Sequence, residues 1–452
     1  MSHRHVPERE LALFAVDPDQ IPAERRRQLE EEVAACAECQ ESYDFFRVGE
    51  DDLYALAEPD TWEPAVETPT YESLMAHGAR IAEEDRQAEV LLKEFLENPI
   101  SAAWTALATR RVFRTGGVVR KLNAAAHAIC ENDPLAALTF ADAAISVAEG
   151  LPDDFYPAHA VYQLRGTAWK ERANAQMLLG LFPEAHASLD RAQRAYSRTP
   201  YNGLGLSMVA LVRAGLFYEQ VLLDDAMALA RQAELGFAHA GDERRQMDAV
   251  FLQGSIMYQA GSIQAAVPLF RRIIDYGEQL QSPQWIARGS YAIGNCEVDN
   301  GNLADASLHF HKALVVFRAQ GPEGDRIATE WGIARVVLHG GNLAEAIRRL
   351  RGVAAEFERL EMVTDAALVG LDLTEALLAA GNPRQIVELA QHLFGVFQKA
   401  GMLTGALAAI AYLKEAALTG DLTAGALKDL RTFLRRAERQ PDLQFVPPPR
   451  LD

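Results

Sequence analysis

Basic residues are in short supply. The 452-residue chain holds 44 lysines and arginines against 63 aspartates and glutamates, a net charge of −19. So acidic a chain offers no general surface for nucleic-acid phosphates, and leaves room for basic protein partners. Cysteine is rarer, with 4 residues, which read as thiols or metal ligands rather than a disulfide framework. The opening Met1-Ser2-His3-Arg4-His5 lacks the apolar core of a signal peptide. The longest apolar run, Gly405–Leu413, stops at Lys414, well short of the ~18–20 residues that span a bilayer. The expectation is a cytoplasmic protein with no membrane role. His-Glu-x-x-His, Gly-x-Ser-x-Gly and a phosphate loop are all missing, so the chain reads as a non-enzyme. His309 and His311 lie two apart on one helix and point to different sides; Cys130 and Cys296 read as small core residues. β-Branched runs are scarce while alanine and leucine abound, which favours an all-α fold.

What is present is a period. Gly261, Gly301, Gly341 and Gly381 recur every forty residues. Ala266, Ala306, Ala346 and Ile386 follow them in register, then Phe270, Phe310, Leu350 and Ala390; Phe251, Tyr291, Trp331 and Leu371 precede them. A fixed period of this length marks a stacked repeat. Within one unit, Ile327–His339 and Leu343–Phe357 carry apolar residues at helical spacing, with Gly340-Gly341-Asn342 between them. The glycine ends one helix, and Asn342, like Asn302 and Asn382, suits the cap of the next. Less regular units continue on both sides, at Asn132–Ala137, Gly180–Ala185, Leu223–Ala226 (where Val221 replaces the glycine) and Gly420–Gly425. The expected total is roughly eight hairpins with atypical ends.

The small-and-large alternation of Leu252-Gln253-Gly254-Ser255-Ile256-Met257-Tyr258, repeated at Gly294, resembles the tetratricopeptide repeat in a long, forty-residue form. The resemblance implies a right-handed α-solenoid whose first helices line a concave groove that docks a second protein or peptide. In that register the groove candidates are Tyr258, Gln259, Tyr291, Asn295, Asp299, Trp331, Arg335, His339 and Glu375. Arg335 and Asn295 suit a peptide carboxylate or backbone. The ring column Phe251, Tyr291 and Trp331 reads equally as core spacers.

The first residues form a separate module. Glu8–Val16 reads as a short helix, Pro22 opens a second over Ala23–Ala35, and a third runs through Tyr43, Phe45, Phe46 and Leu53. Between the last two, Cys36-Ala37-Glu38-Cys39 puts two sulfurs on one bend, suited to one tetrahedral zinc ion. With His5-Val6-Pro7-Glu8-Arg9-Glu10-Leu11-Ala12-Leu13 and Pro22-Ala23-Glu24-Arg25-Arg26, this stretch resembles the zinc-finger module of bacterial anti-sigma factors over about residues 5–46. The resemblance implies a three-helix unit that sequesters a sigma factor, with Cys36, Cys39 and His5 as ligands. Glu32 stands where that family has histidine. Two readings stay open: His5, Glu32, Cys36 and Cys39 hold a structural zinc, with His3 an alternative to Glu32, or the finger is metal-free and held by Leu11, Phe14, Leu29, Val33 and Phe45.

Between Arg47 and Arg80 no lysine or arginine occurs, while Glu50, Asp51, Asp52, Glu58, Asp60, Glu63, Glu67 and Glu72 do. Pro59, Pro64 and Pro69 make its middle a linker. Helices are expected over Tyr71–Glu97 and Ser101–Phe113. The basic cluster Arg110, Arg111, Arg114, Arg120 and Lys121 is expected to answer acidic neighbours, including this joint. The resulting plan is an anti-sigma-like module at 1–57, a linker at 58–70, helical repeats at 71–440 and an extended tail at 441–452. The leading functional reading is a regulatory scaffold holding a sigma factor and a second protein or peptide. The alternative is a repeat adaptor, or the substrate or regulator of a protease in a stress or defence pathway, with a degenerate finger.

Overall fold

A computed structural model of the chain describes residues 6–7, 10–11, 14, 21–37, 39–40, 43, 71–97, 110–152, 155–200, 202–399, 404–437 and 443–447. The chain divides into two compact units, 1–78 and 79–452. The expected linker at 58–70, His5, Phe45 and most of Ser101–Phe113 lie outside the described residues.

In the first unit, α1 runs from Ala23 to Ala34 behind Pro22. Proline suits this place because its fixed φ fits the helix start and its missing N–H has no partner to lose there. The apolar face of α1 buries Leu29 and Val33 against Val6, Leu11, Phe14, Ile21 and Cys39. Arg25 ties the outer side, donating from Nε to Glu10 Oε1 at 2.8 Å and from Nη1 to Glu32 Oε1 at 3.1 Å.

The described residues of the second unit are helical apart from its turns and the extended segment 443–447. Helix α2 (Tyr71–Glu97) precedes a single 3-10 turn at Arg111–Phe113, where the sequence suggests the end of an α-helix. Eight hairpins then follow among the described residues: α3 (Gly116–Ile129) with α4 (Pro134–Glu149), α5 (Ala158–Leu178) with α6 (Phe182–Tyr196), and α7 (Gly203–Glu219) with α8 (Leu223–His239). Next come α9 (Glu243–Gln259) with α10 (Ile263–Gln279), α11 (Pro283–Asp299) with α12 (Leu303–Gln320), and α13 (Glu323–His339) with α14 (Leu343–Arg359). The last are α15 (Val363–Ala379) with α16 (Pro383–Lys399) and α17 (Thr404–Thr419) with α18 (Ala424–Ala437).

The forty-residue period consists of two halves of twenty. Helix α9 has 17 residues, as has α10, and a three-residue turn completes each half. At Gly261, φ is +77°. Its N–H bonds Tyr258 O at 3.0 Å and the Ser262 N–H bonds Met257 O at 2.9 Å, the paired C-terminal bonds that need a left-handed residue. Glycine takes this conformation without strain, which explains the recurrence. Val221, Gln281 and Glu361 take it too, at φ 62°, 51° and 59°, so these turns carry no glycine signature. Asn342 caps α14 by accepting from the Glu345 N–H at 3.3 Å. Asn302 does not cap α12 by its side chain, donating instead to Glu297 at 2.7 Å.

In the five hairpins from α7/α8 to α15/α16 the second helix buries at least one phenylalanine: Phe237, Phe270, Phe310, Phe357 and Phe397. Phe270 lies where Gly254 has no side chain, and Phe310 lies between Gly294 and Gly332; a Cβ on any of these glycines would fall within 2.5–2.8 Å of a ring atom. Each such buried ring contributes about 2–3 kcal/mol of hydrophobic stabilisation. The expected ring column packs into the same core: Phe251 on Phe270, Tyr291 on Phe310 and Trp331 on Phe357, at centroid distances of 5.4, 6.1 and 6.2 Å.

Successive odd-numbered helices from α3 to α15 touch one another as well as their even partners, so the first helices form the tighter layer, as the register suggests. Both ends depart from the pattern. Glu84 on α2 accepts from the Gly117 N–H at 3.1 Å, capping α3 across space. Arg120 and Lys121 are answered by Asp85 and Glu89 of α2, at 2.8 and 3.0 Å. At the other end α18 packs back on α15. The extended tail segment 443–447 is held there rather than frayed: the Phe445 ring lies 5.5 Å from Tyr412 and 5.0 Å from Phe433.

Candidate functional site

Helices α3, α5, α7, α9 and α11 line a cleft of about 850 Å³, a size suited to a short peptide or small ligand. The repeat places its walls. Phe251, Leu211 and Glu171 stand forty apart, as do Arg288, Asp248 and Met208, and as do Ser255 and Gly215. Successive odd helices thus present the same few positions to one groove. Its apolar floor includes Met177, Met208, Leu211, Val212, Phe251 and Leu252. Methionine adapts its shape to irregular surfaces.

Charge is unevenly distributed along it. On α5, Lys170 and Glu171 are 9 % and 4 % exposed, and Lys170 Nζ donates to Glu171 Oε1 at 2.5 Å. Glu171 Oε2 has no hydrogen-bond partner; the nearest candidate, His127 Nδ1, is 3.4 Å away, outside good hydrogen-bond range. Burial pushes the Glu171 carboxyl up, but His127 and Lys170 outweigh it, so the group lies below the ordinary carboxylate value and stays ionised. On α11, Arg288 Nη1 donates to Asp248 Oδ1 at 2.7 Å, and its guanidinium lies over the Phe251 ring at 3.9 Å. Burial, reinforced by Glu171, pushes the Cys130 thiol up to about 12, and Cys296 reaches about 12 mainly by burial. Both read as core residues.

None of the nine sequence-derived groove candidates lines this cleft. Tyr258 and Gln259 stand at the end of α9, past its cleft-lining residues, and the other seven occupy the register on α11, α13 and α15. Tyr258 Oη donates to Asp299 Oδ2 at 2.5 Å, and Arg335 donates to Asp299 Oδ1 at 2.8 Å and Asn295 Oδ1 at 3.2 Å. Asn295 in turn donates to Tyr291 O at 3.2 Å. Trp331 Nε1 donates to Asp372 Oδ2 at 2.6 Å, and Arg431 bonds Asp372 and lies 3.6 Å from Glu375. Arg335 and Asn295 bond each other, and the Tyr291 and Trp331 rings pack on Phe310 and Phe357. Gln259 and His339 are exposed at the ends of α9 and α13. Asp372, 3 % exposed, joins the ladder through Trp331 and Arg431 and has no counterpart in the sequence-derived set.

At the amino-terminal bend, Cys36 is half-buried and Cys39 buried, and all four cysteines are thiols. Glu32 is exposed and engaged by Arg25. Among the described residues no three of His, Cys, Asp and Glu assemble as a metal-binding group, so Glu32 does not join the two cysteines. A zinc ion at this bend would rest on Cys36, Cys39 and ligands outside the described residues. Among the described residues no helix is long and apolar enough to cross a membrane.

No family model matches the sequence, and no curated protein matches it. Solved structures do. The crystal structure of aspartyl phosphate phosphatase F from Bacillus subtilis is similar over 88 % of this chain and 96 % of its own, at 15 % identity and a TM-score of 0.50. A Rap protein complexed with competence and sporulation factor matches over 78 % of this chain and 99 % of its own, at 15 % identity and 0.45. A tetratricopeptide repeat protein from Parabacteroides merdae matches over 66 % and 98 %, at 15 % and 0.41. The likeness to the Bacillus subtilis protein extends to the fold alone: the described helices between Gly116 and Ala437 form a stack of tetratricopeptide-like helical hairpins.

Proposed function

We propose that the chain is a non-enzymatic regulatory scaffold whose repeat unit docks an extended peptide or protein segment in the cleft of α3 to α11. The observation that carries this is the cleft itself: an apolar floor from successive first helices, rimmed by Thr167, Asn174 and Ser255, which suit main-chain amides. Its test is affinity selection by the immobilised full chain from a randomised hexapeptide library. A retained, sequence-biased fraction supports the reading, and recovery indistinguishable from bare resin removes it.

The amino-terminal module belongs to the same proposal as the part that captures a sigma factor. Its support is the Cys36-x-x-Cys39 bend set beside an apolar core of Leu11, Phe14, Leu29 and Val33. Pull-down of a sigma factor encoded beside this chain's gene tests it; failure of that factor to bind ends it. A second reading, a repeat adaptor or protease substrate with a degenerate finger, is favoured by the diversion of Glu32 to Arg25. Deleting residues 1–57 separates the two: partner binding survives in the adaptor and is lost in the sigma-factor reading.

A further inference from the structure

We infer that the cleft takes its peptide by a cationic group, a free amino terminus or a lysine or arginine side chain, seated on Glu171. The inference rests on the peptide-docking reading above and adds the chemistry of the ligand. Glu171 lines the cleft, is 4 % exposed, and its Oε2 accepts no hydrogen bond, with His127 Nδ1 the nearest donor at 3.4 Å. A buried carboxylate oxygen in this state is poorly compensated, because water has been removed and only the long 3.4 Å approach of His127 Nδ1 faces it. Lys170 does not settle the cost, since its bond is to the other oxygen, Oε1. A ligand ammonium or guanidinium supplies the missing donor together with an opposite charge.

The rest of the cleft gives the bound peptide a direction. On the α3 to α7 side, Glu131, Glu171 and Glu219 outnumber Lys170; on the α9 and α11 side, Arg244, Arg245 and Arg288 outnumber Asp248. Arg245 is tied to Asp242 and Arg288 to Asp248, whereas Arg244 is exposed and bonds no described residue. A peptide lying with its basic or amino end on α5 and its carboxyl end toward α9 meets complementary potential at both ends.

The experiment is competitive selection by the full chain from two hexapeptide libraries randomised at every position, one with free amino termini and one acetylated. Wild type, Glu171→Gln and the double variant Lys170→Met/Glu171→Leu are compared. The double variant removes both charges, so it leaves no uncompensated buried ion to disturb folding. Wild type is expected to enrich basic peptides on the order of ten-fold. Sensitivity to acetylation assigns the anchor to the amino terminus, and insensitivity assigns it to a side chain. Both variants are expected to lose the enrichment while keeping the preference for apolar residues. Retention with no basic preference and no effect of acetylation overturns the cationic anchor and leaves peptide docking standing. Retention of nothing by any form overturns the docking reading and the anchor with it.

Discussion

Trp331 donates its indole N–H to Asp372 at 2.6 Å, from α13 to α15, and Arg431 of α18 bonds the same carboxylate. One buried acid therefore locks the last units together. Asp372→Ala takes the acceptor from the Trp331 indole and the bonded carboxylate from Arg431, while Arg335 keeps Asp299 and Asn295, and removing one partner of a buried ion pair costs about 3–5 kcal/mol. Urea unfolding followed by circular dichroism is expected to show a loss of that order; a change under 1 kcal/mol, on the scale of an exposed pair, contradicts the buried role.

The same glycine-to-alanine change is expected to have opposite signs at two sites. At Gly332 the new Cβ meets the Phe310 ring at 2.5 Å, and such overpacking costs about 1–3 kcal/mol. At Gly352, inside α14, nothing lies within 4 Å, so the gain in helix propensity, up to about 1 kcal/mol, stands alone. Thermal unfolding of the two variants checks this, and equal shifts would contradict the packing described.

Val221 holds φ 62° at a turn where other units use glycine. A β-branched residue pays about 1–2 kcal/mol in the left-handed region, part of which glycine loses again as unfolded-state entropy. Val221→Gly is expected to stabilise the chain by about 1 kcal/mol. A lowered urea midpoint would show that Val221 packing outweighs its strain.

Glu171 also gives a pH signature. Its folded carboxyl lies below the ordinary 4.5, so its ionised form stabilises the fold at neutral pH. That contribution fades as pH falls from about 4.5 through the folded value. The stability gap between wild type and Glu171→Gln is therefore expected to narrow below pH 4.5. Melting curves that stay parallel down to pH 3 would remove Glu171 from the pH dependence.

The architecture was legible because the signal is local and repeated. A glycine needed for a left-handed turn, a small residue beside a phenylalanine and an apolar stripe recur at one spacing, so each unit confirms the next. Turns at Gln281 and Glu361 escaped notice because neither is a residue type that marks such a conformation. For the groove, the register was readable and the units were not. Position 295 is asparagine and position 335 arginine, while the matching positions 215 and 255 are glycine and serine. Long polar side chains look like ligand contacts in a sequence, yet here they reach each other across adjacent helices and fill the space. The small ones leave the cleft. Glu171 and Leu211 were findable by carrying the register of Phe251 upstream through the irregular units; the ladder to Asp372 and Arg431 was not, since α18 packs back on α15 out of period.

The most direct test follows from that contrast. Gly215 is the counterpart of Arg335, and a Cβ there meets only Met177, at 3.6 Å, an ordinary contact. Gly215→Arg should plug the cleft as Arg335 fills its own unit, without disturbing the helix. Measured by fluorescence anisotropy with the peptide best retained from the library, the variant is expected to bind at least about ten-fold more weakly, a loss of about 1.4 kcal/mol, with an unchanged melting temperature. Undiminished binding by a folded Gly215→Arg chain would contradict the assignment of this cleft as the docking site.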